Sequence, residues 1–184
     1  MLRSFKYFQI VAGGTPQPLV GTTTTAAVKP TVQVPPQNTL VIPVADASMF
    51  QSGDWAIIGK PSSNQEKLLV QSVSGNNLTV QIPPSSGIMG SYPSGTYVRL
   101  GNAINSTYVQ TKDGNAGAIY VGTMDDMVKA TGVFVVAKLQ PVGAGSQPVD
   151  FHDGRSGLAN VDNIGQLWVD GTTGDSYLPT VGVV

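Results

Sequence analysis

The chain has 184 residues, room for one large domain or two small ones. It has no cysteine, which excludes a disulfide framework, thiolate metal sites and cysteine catalysis. Ten basic and eleven acidic residues give a net charge of −1 and leave no basic stripe of the kind nucleic-acid binding needs.

Only 11% of residues are charged, against about 25% in ordinary soluble domains. A surface covered instead by Thr, Ser, Asn, Gln and Gly suits a protein packed against partners. With 22 glycines and 13 prolines, turns are frequent and long helices are not expected. No apolar run reaches the ~18 residues of a membrane span. The opening stretch MLRSFKYFQIV is interrupted by Ser4, Lys6 and Gln9, unlike the apolar core of a signal peptide. The expectation is a chain that begins at Met1, made and used in the cytoplasm of the producing cell, with no membrane partner.

Residues 2 to 11 carry Leu2, Phe5, Tyr7, Phe8, Ile10 and Val11 among polar neighbours, a weak strand signal. An arm this apolar must either complete its own sheet or lie on a neighbour. Leu2, Phe5, Tyr7 and Phe8 are therefore the candidate partner-binding residues. Gly13-Gly14-Thr15-Pro16 ends the segment, and the Thr22 to Thr25 tract suits an exposed strand. Residues 29 to 38, with Pro30, Pro35 and Pro36, read as a crossing between two structural units.

A dense β pattern runs from Thr39. Strands are predicted at 40–44, with Pro43 near an edge, at 55–58, 67–73, 78–82 and 96–100, and Ala45 to Phe50 suits one helical turn. Leu78, Val80 and Ile82 alternate with Thr79 and Gln81, and the loop Ser74 to Asn77 makes 67–82 the clearest hairpin. Short strands with a turn every ten residues or so indicate a small sandwich or barrel.

Thr107 to Gly122 reads as strand, turn, strand and is expected to be the central strand pair of a sandwich. Met124 to Lys129 suits a helical turn. Strands are predicted at 133–139, 166–169 and 177–184, although Tyr177-Leu178-Pro179 departs from plain alternation. No repeat recurs at a fixed period.

Candidate chemistry is sparse. His152, the sole histidine, lies between Asp150 and Asp153 and has the form of a general base, but no nucleophile accompanies it. Glu66 is the sole glutamate, whereas a glycosidase needs two placed carboxylates. Asp162-Asn163 and Asp170 to Asp175 offer oxygens to a calcium ion without matching the spacing of a calcium loop. Trp55, Trp168, Tyr92 and Tyr120 suit either a sugar-stacking platform or core packing, and strand positions favour packing. No catalytic residue, metal site or cofactor is expected, and the protein is read as a non-enzyme.

Three short motifs stand in order along the chain: Gly14-Thr15-Pro16-Gln17-Pro18-Leu19 with its threonine tract, Asn115-x-Gly117-x-Ile119-Tyr120-Val121-Gly122, and Leu167-Trp168-Val169-Asp170-Gly171 followed by Gly174-Asp175. Together they resemble a β-sandwich module of structural proteins of tailed bacteriophages. Phe50-x-x-Gly53-Asp54 and Gly95-Thr96-x-Val98-x-Leu100 resemble virion β domains more loosely. The resemblance implies an all-β protein of two small domains. Residues 1–30 and 103–184 would form a discontinuous β-sandwich with an N-terminal arm, and 31–102 an inserted β-barrel or sandwich. It further implies a virion structural protein assembled in the host cytoplasm: a capsid decoration (cement) protein, homo-oligomeric, contacting the major capsid protein or other virion proteins. A neck, collar or tail protein and a glycan-binding attachment module are the alternatives.

Overall fold

The computed structural model describes residues 3–7, 10–11, 14–32, 34, 36–101, 104–111, 114–123, 125–133, 135–140, 149–152 and 167–183. For 3–7, 10–11, 104–110, 136, 149–152 and 178–183 the description is of the backbone alone. These residues are all-β, with no helix among them. They form two units: Val20–Asn102, and a discontinuous one joining Met1–Leu19 to Ala103–Val184.

The discontinuous unit is built from two sheets. Strands β1 (Arg3–Tyr7), β2 (Ile10–Val11), β10 (Ile104–Thr111), β13 (Val149–His152) and β15 (Ser176–Val183) make the first, in the order β1-β15-β10-β13, with β2 also on β15. The second runs β12-β11-β14-β3, from β12 (Val135–Leu139), β11 (Ile119–Gly122), β14 (Trp168–Asp170) and β3 (Gln17–Pro18). Leu19, Ile119, Val121, Leu139, Leu167, Trp168, Val169 and Tyr177 are buried, so bulky apolar side chains from both sheets supply the core.

The continuous unit is a six-stranded sheet, β4-β9-β6-β7-β8-β5, of β4 (Gly21–Thr23), β9 (Tyr97–Leu100), β6 (Trp55–Gly59), β7 (Gln65–Ser74), β8 (Asn77–Gln81) and β5 (Thr39–Pro43). Its outermost strands curl towards each other: a bridge joins Thr24 to Val44, and Thr25 N–H donates to the Pro43 carbonyl at 2.9 Å. Inward positions follow the period of two. Ala56, Ile58, Leu68, Val70, Leu78, Val80, Val98 and Leu100 are buried, while Trp55, Lys67 and Gln65 face out.

Several expectations are corrected. Thr107 to Gly122 is not a strand pair: β10 lies in the first sheet and β11 in the second, so the chain passes from one sheet to the other through Gly114 to Ala118. The two runs look alike because periodicity reports a strand but not which sheet receives it. The insertion begins at Val20, not at residue 31, because Gly21, Thr22 and Thr23 pair with Arg99, Val98 and Tyr97 of β9. Thr22 and Thr24 are accordingly buried where an exposed strand was expected.

Residues 45–50 form turns, not a helical turn. Asp46 Oδ1 accepts the Ser48 N–H at 2.8 Å and Ala47 carbonyl accepts the Phe50 N–H at 2.9 Å, a local competition that Asp often wins against helix. Met124 lies outside the described residues, and 125–129 are likewise turns and a bridge. The β7–β8 hairpin turns on Gly75 and Asn76 alone, since Ser74 and Asn77 already pair. Pro179 sits within β15 opposite Val109, with Thr180 and Tyr177 carrying the pairings to β1 and β2.

Candidate functional site

The three motifs converge on one place in the discontinuous unit. β14 lies between β11 and β3, with Tyr120, Val121 and Gly122 opposite Asp170, Val169 and Trp168, and Trp168 and Val169 opposite Pro18 and Gln17. Leu19 N–H donates to the Leu167 carbonyl at 2.8 Å and extends that ladder. Tyr177, fully buried on β15 of the other sheet, accepts a bond from Gln17 Nε2 at 3.1 Å. The first motif is thereby tied to the third within one sheet and to the other sheet through Tyr177.

The second motif is held by side chains acting on backbone. Asn115 Nδ2 donates to the Ser176 carbonyl at 2.8 Å, and Ser176 N–H donates to Asn115 Oδ1 at 2.8 Å. The amide thus imitates one residue pair of a β-ladder where β10 has already left the sheet. Asp175 accepts the next two N–H groups: Ala116 to Oδ1 at 2.7 Å and Gly117 to Oδ2 at 2.8 Å. Both carboxylate oxygens of a buried aspartate are engaged, a charge-assisted arrangement that pins the crossing. A Cβ on Gly117 would stand 2.5 Å from Thr172 Oγ1, so a larger residue there requires that exposed hydroxyl to turn away.

The remaining sequence candidates are dispersed. Arg3–Tyr7, holding Phe5 and Tyr7 of the arm, is the outermost of the described strands of its sheet, paired antiparallel to β15. Leu2 and Phe8 lie outside the described residues. His152 ends β13, opposite Ser106. Asp153, Asp162 and Asn163 lie outside the described residues. Asp170, buried, is paired with Lys129 Nζ at 3.0 Å, and Asp175 holds the crossing, so both acidic ends of that loop have structural partners. No group of three His, Asp or Glu able to hold a metal occurs among the described residues. No helix among them is long and apolar enough to cross a membrane. Of the four aromatics, Trp168 and Tyr92 are buried and Tyr120 is half-buried. Trp55 is 38% exposed, with Lys67 Nζ 4.8 Å from its ring centre.

In the continuous unit, Glu66 closes a segment of chain. Its Oε1 accepts Met89 N–H at 3.0 Å, Gly90 N–H, and the Tyr92 hydroxyl at 3.1 Å. Burial, then the charge of Glu66 beside it, raises the Tyr92 hydroxyl well above the usual phenol range.

Beside this clamp lies a groove of about 410 Å³, bounded by Gly59 to Asn64 on one side and Ser91 to Tyr97 on the other. Gly59 has φ 96°, and a Cβ there would fall 2.0 Å from the Asn64 carbonyl, so the first loop folds tightly back on the end of β6. Lys60 Nζ stands 5.4 Å from the centre of the Tyr97 ring. Sequence reasoning missed this groove because its walls come from separate loops. The available signal is their shared content of hydroxyl, amide and aromatic residues.

Comparison with known protein families, with curated proteins and with solved structures gave no match.

Proposed function

We propose that the protein is a non-enzymatic structural component of a tailed-phage virion, serving as a decoration protein that binds between major capsid subunits. The observation that carries this reading is the convergence of the three motifs, whose polar groups Asn115 and Asp175 bond to backbone of the same unit. Residues so engaged build a rigid module and leave no reactive group presented by the motifs. The outermost position of β1 among the described strands supports an adhesive role, since an edge strand offers unpaired backbone groups to a neighbouring chain. Many weak contacts repeated by shell symmetry would then stabilise the particle collectively.

Quantitative mass spectrometry of purified virions tests the assignment. The expected copy number is comparable to that of the major shell protein. A stoichiometry matching a single vertex or the tail removes the decoration role and favours a neck, collar or tail component. Absence from particles removes the virion reading altogether.

A further inference from the structure

We infer that the groove between Gly59–Asn64 and Ser91–Tyr97 is a binding site for an acidic saccharide, one bearing a carboxylate on a sugar ring. At about 410 Å³ it falls within the ~300–1,000 Å³ range of small-ligand sites. Its lining is mixed in a particular way. The side chains of Asn64, Ser91 and Ser94 are exposed and carry no hydrogen bond among the described residues, so an amide and two hydroxyls stand ready to meet further hydroxyls. The half-buried Tyr97 ring, with Lys60 Nζ 5.4 Å from its centre, sets apolar surface for the C–H face of a sugar beside the ammonium group. A polyol ring, polar at its edge and apolar on its face, matches both.

The charge selects among saccharides. Lys60 is exposed on the groove wall and has no ion pair among the described residues. Glu66, the carboxylate on the neighbouring clamp, is directed to Met89 N–H, Gly90 N–H and the Tyr92 hydroxyl. A ligand carboxylate would therefore supply the anion that Lys60 lacks. A second lysine–aromatic pair, Lys67 with Trp55, continues along the outer face of β6. It stands four residues from Gly59, about 13 Å at ~3.3 Å per residue, which extends the basic, aromatic surface for a longer chain. This inference is independent of the virion assignment and holds or fails whatever particle contains the protein.

The test is a titration of the full chain, followed by amide chemical shifts and calorimetry, with tetragalacturonate and a hyaluronan tetrasaccharide as probes. Maltotetraose serves as the neutral control and inorganic phosphate as the bare anion. At least one acidic probe should shift amides in 59–64 and 91–97 and bind about tenfold or more tightly than maltotetraose, as a charged hydrogen bond requires. Lys60→Gln should abolish that preference, and Asn64→Ala should weaken both acidic and neutral probes, with thermal melts unchanged because both side chains are exposed. The inference is overturned if neither acidic probe binds, if the shifts map elsewhere, or if Lys60→Gln binds like the parent. Phosphate binding as tightly as the saccharides also overturns it, by marking a bare cation site.

Discussion

Asn115 and Ser176 are bonded to each other twice, side-chain amide to backbone, at 2.8 Å in both directions. Replacing Asn115 with Ala leaves the N–H and carbonyl of a buried residue without those partners, a loss of about 2–3 kcal/mol at ordinary values for such groups. Asn115→Asp restores only the acceptor and sets a carboxylate oxygen against the Ser176 carbonyl, so it should not recover stability. Urea denaturation followed by Trp168 fluorescence in a Trp55→Phe background reports the discontinuous unit selectively and checks both variants.

Lys129 and Asp170 form an unequal pair, with the lysine 37% exposed and the aspartate 5%. Removing the lysine leaves a buried charge without its cation, whereas removing the charge leaves only a neutral amide. Lys129→Met should therefore destabilise more than Asp170→Asn, by about 1 kcal/mol or more. Equal losses in urea denaturation would contradict the buried position of Asp170.

Gly59 and Gly75 both have positive φ, but their surroundings differ. A Cβ meets the Asn64 carbonyl at 2.0 Å in the first case and nothing within 4 Å in the second. Gly75→Ala should cost about 1 kcal/mol, the conformational penalty alone. Gly59→Ala should cost clearly more, about 2–3 kcal/mol, and should displace loop 60–64. Thermal unfolding of the two variants, with amide shifts of 60–64, separates the effects.

Tyr92 ties alkaline stability to the Glu66 clamp. Its hydroxyl ionises at higher pH in the fold than in the unfolded chain, where the value is near 10.0. Above that pH the unfolded chain releases a proton that the folded chain keeps, so stability is complete below it and falls as pH rises through the folded value. The stability of Tyr92→Phe should decline less steeply above pH 10, from a lower starting point because the bond to Glu66 is gone. Urea midpoints of parent and variant between neutral and alkaline pH decide this.

Much of the strand content is legible because it is encoded locally. Leu78, Val80 and Ile82 alternate with polar residues, and their strand needs only the hairpin turn at Gly75 and Asn76 to find β7. What partners a strand across long sequence distances is not encoded that way. Nothing in Thr22 to Thr25 indicates that Arg99, Val98 and Tyr97 will pair beside it, so the start of the insertion is misplaced by reading composition alone. The crossing at 114–118 shows the same limit: Asn115 and Asp175 are visible as motif letters, but Asn115 bonds to Ser176 and Asp175 to Ala116, partners about sixty positions away. The groove was invisible for a related reason, since Lys60, just beyond β6, and Tyr97 of β9 become neighbours only when those two strands pair.

The position of β15 has a consequence for how the protein is made. It is flanked by β10 on one side and by β1 and β2 on the other, so the first sheet cannot assemble until this last of its strands has been synthesised. Every strand of the continuous unit, by contrast, has been translated once Leu100 emerges from the ribosome. The insert is thus free to fold during translation, while β1 and β3 wait with their partners unmade. The unit that begins second thus has all its strands available first.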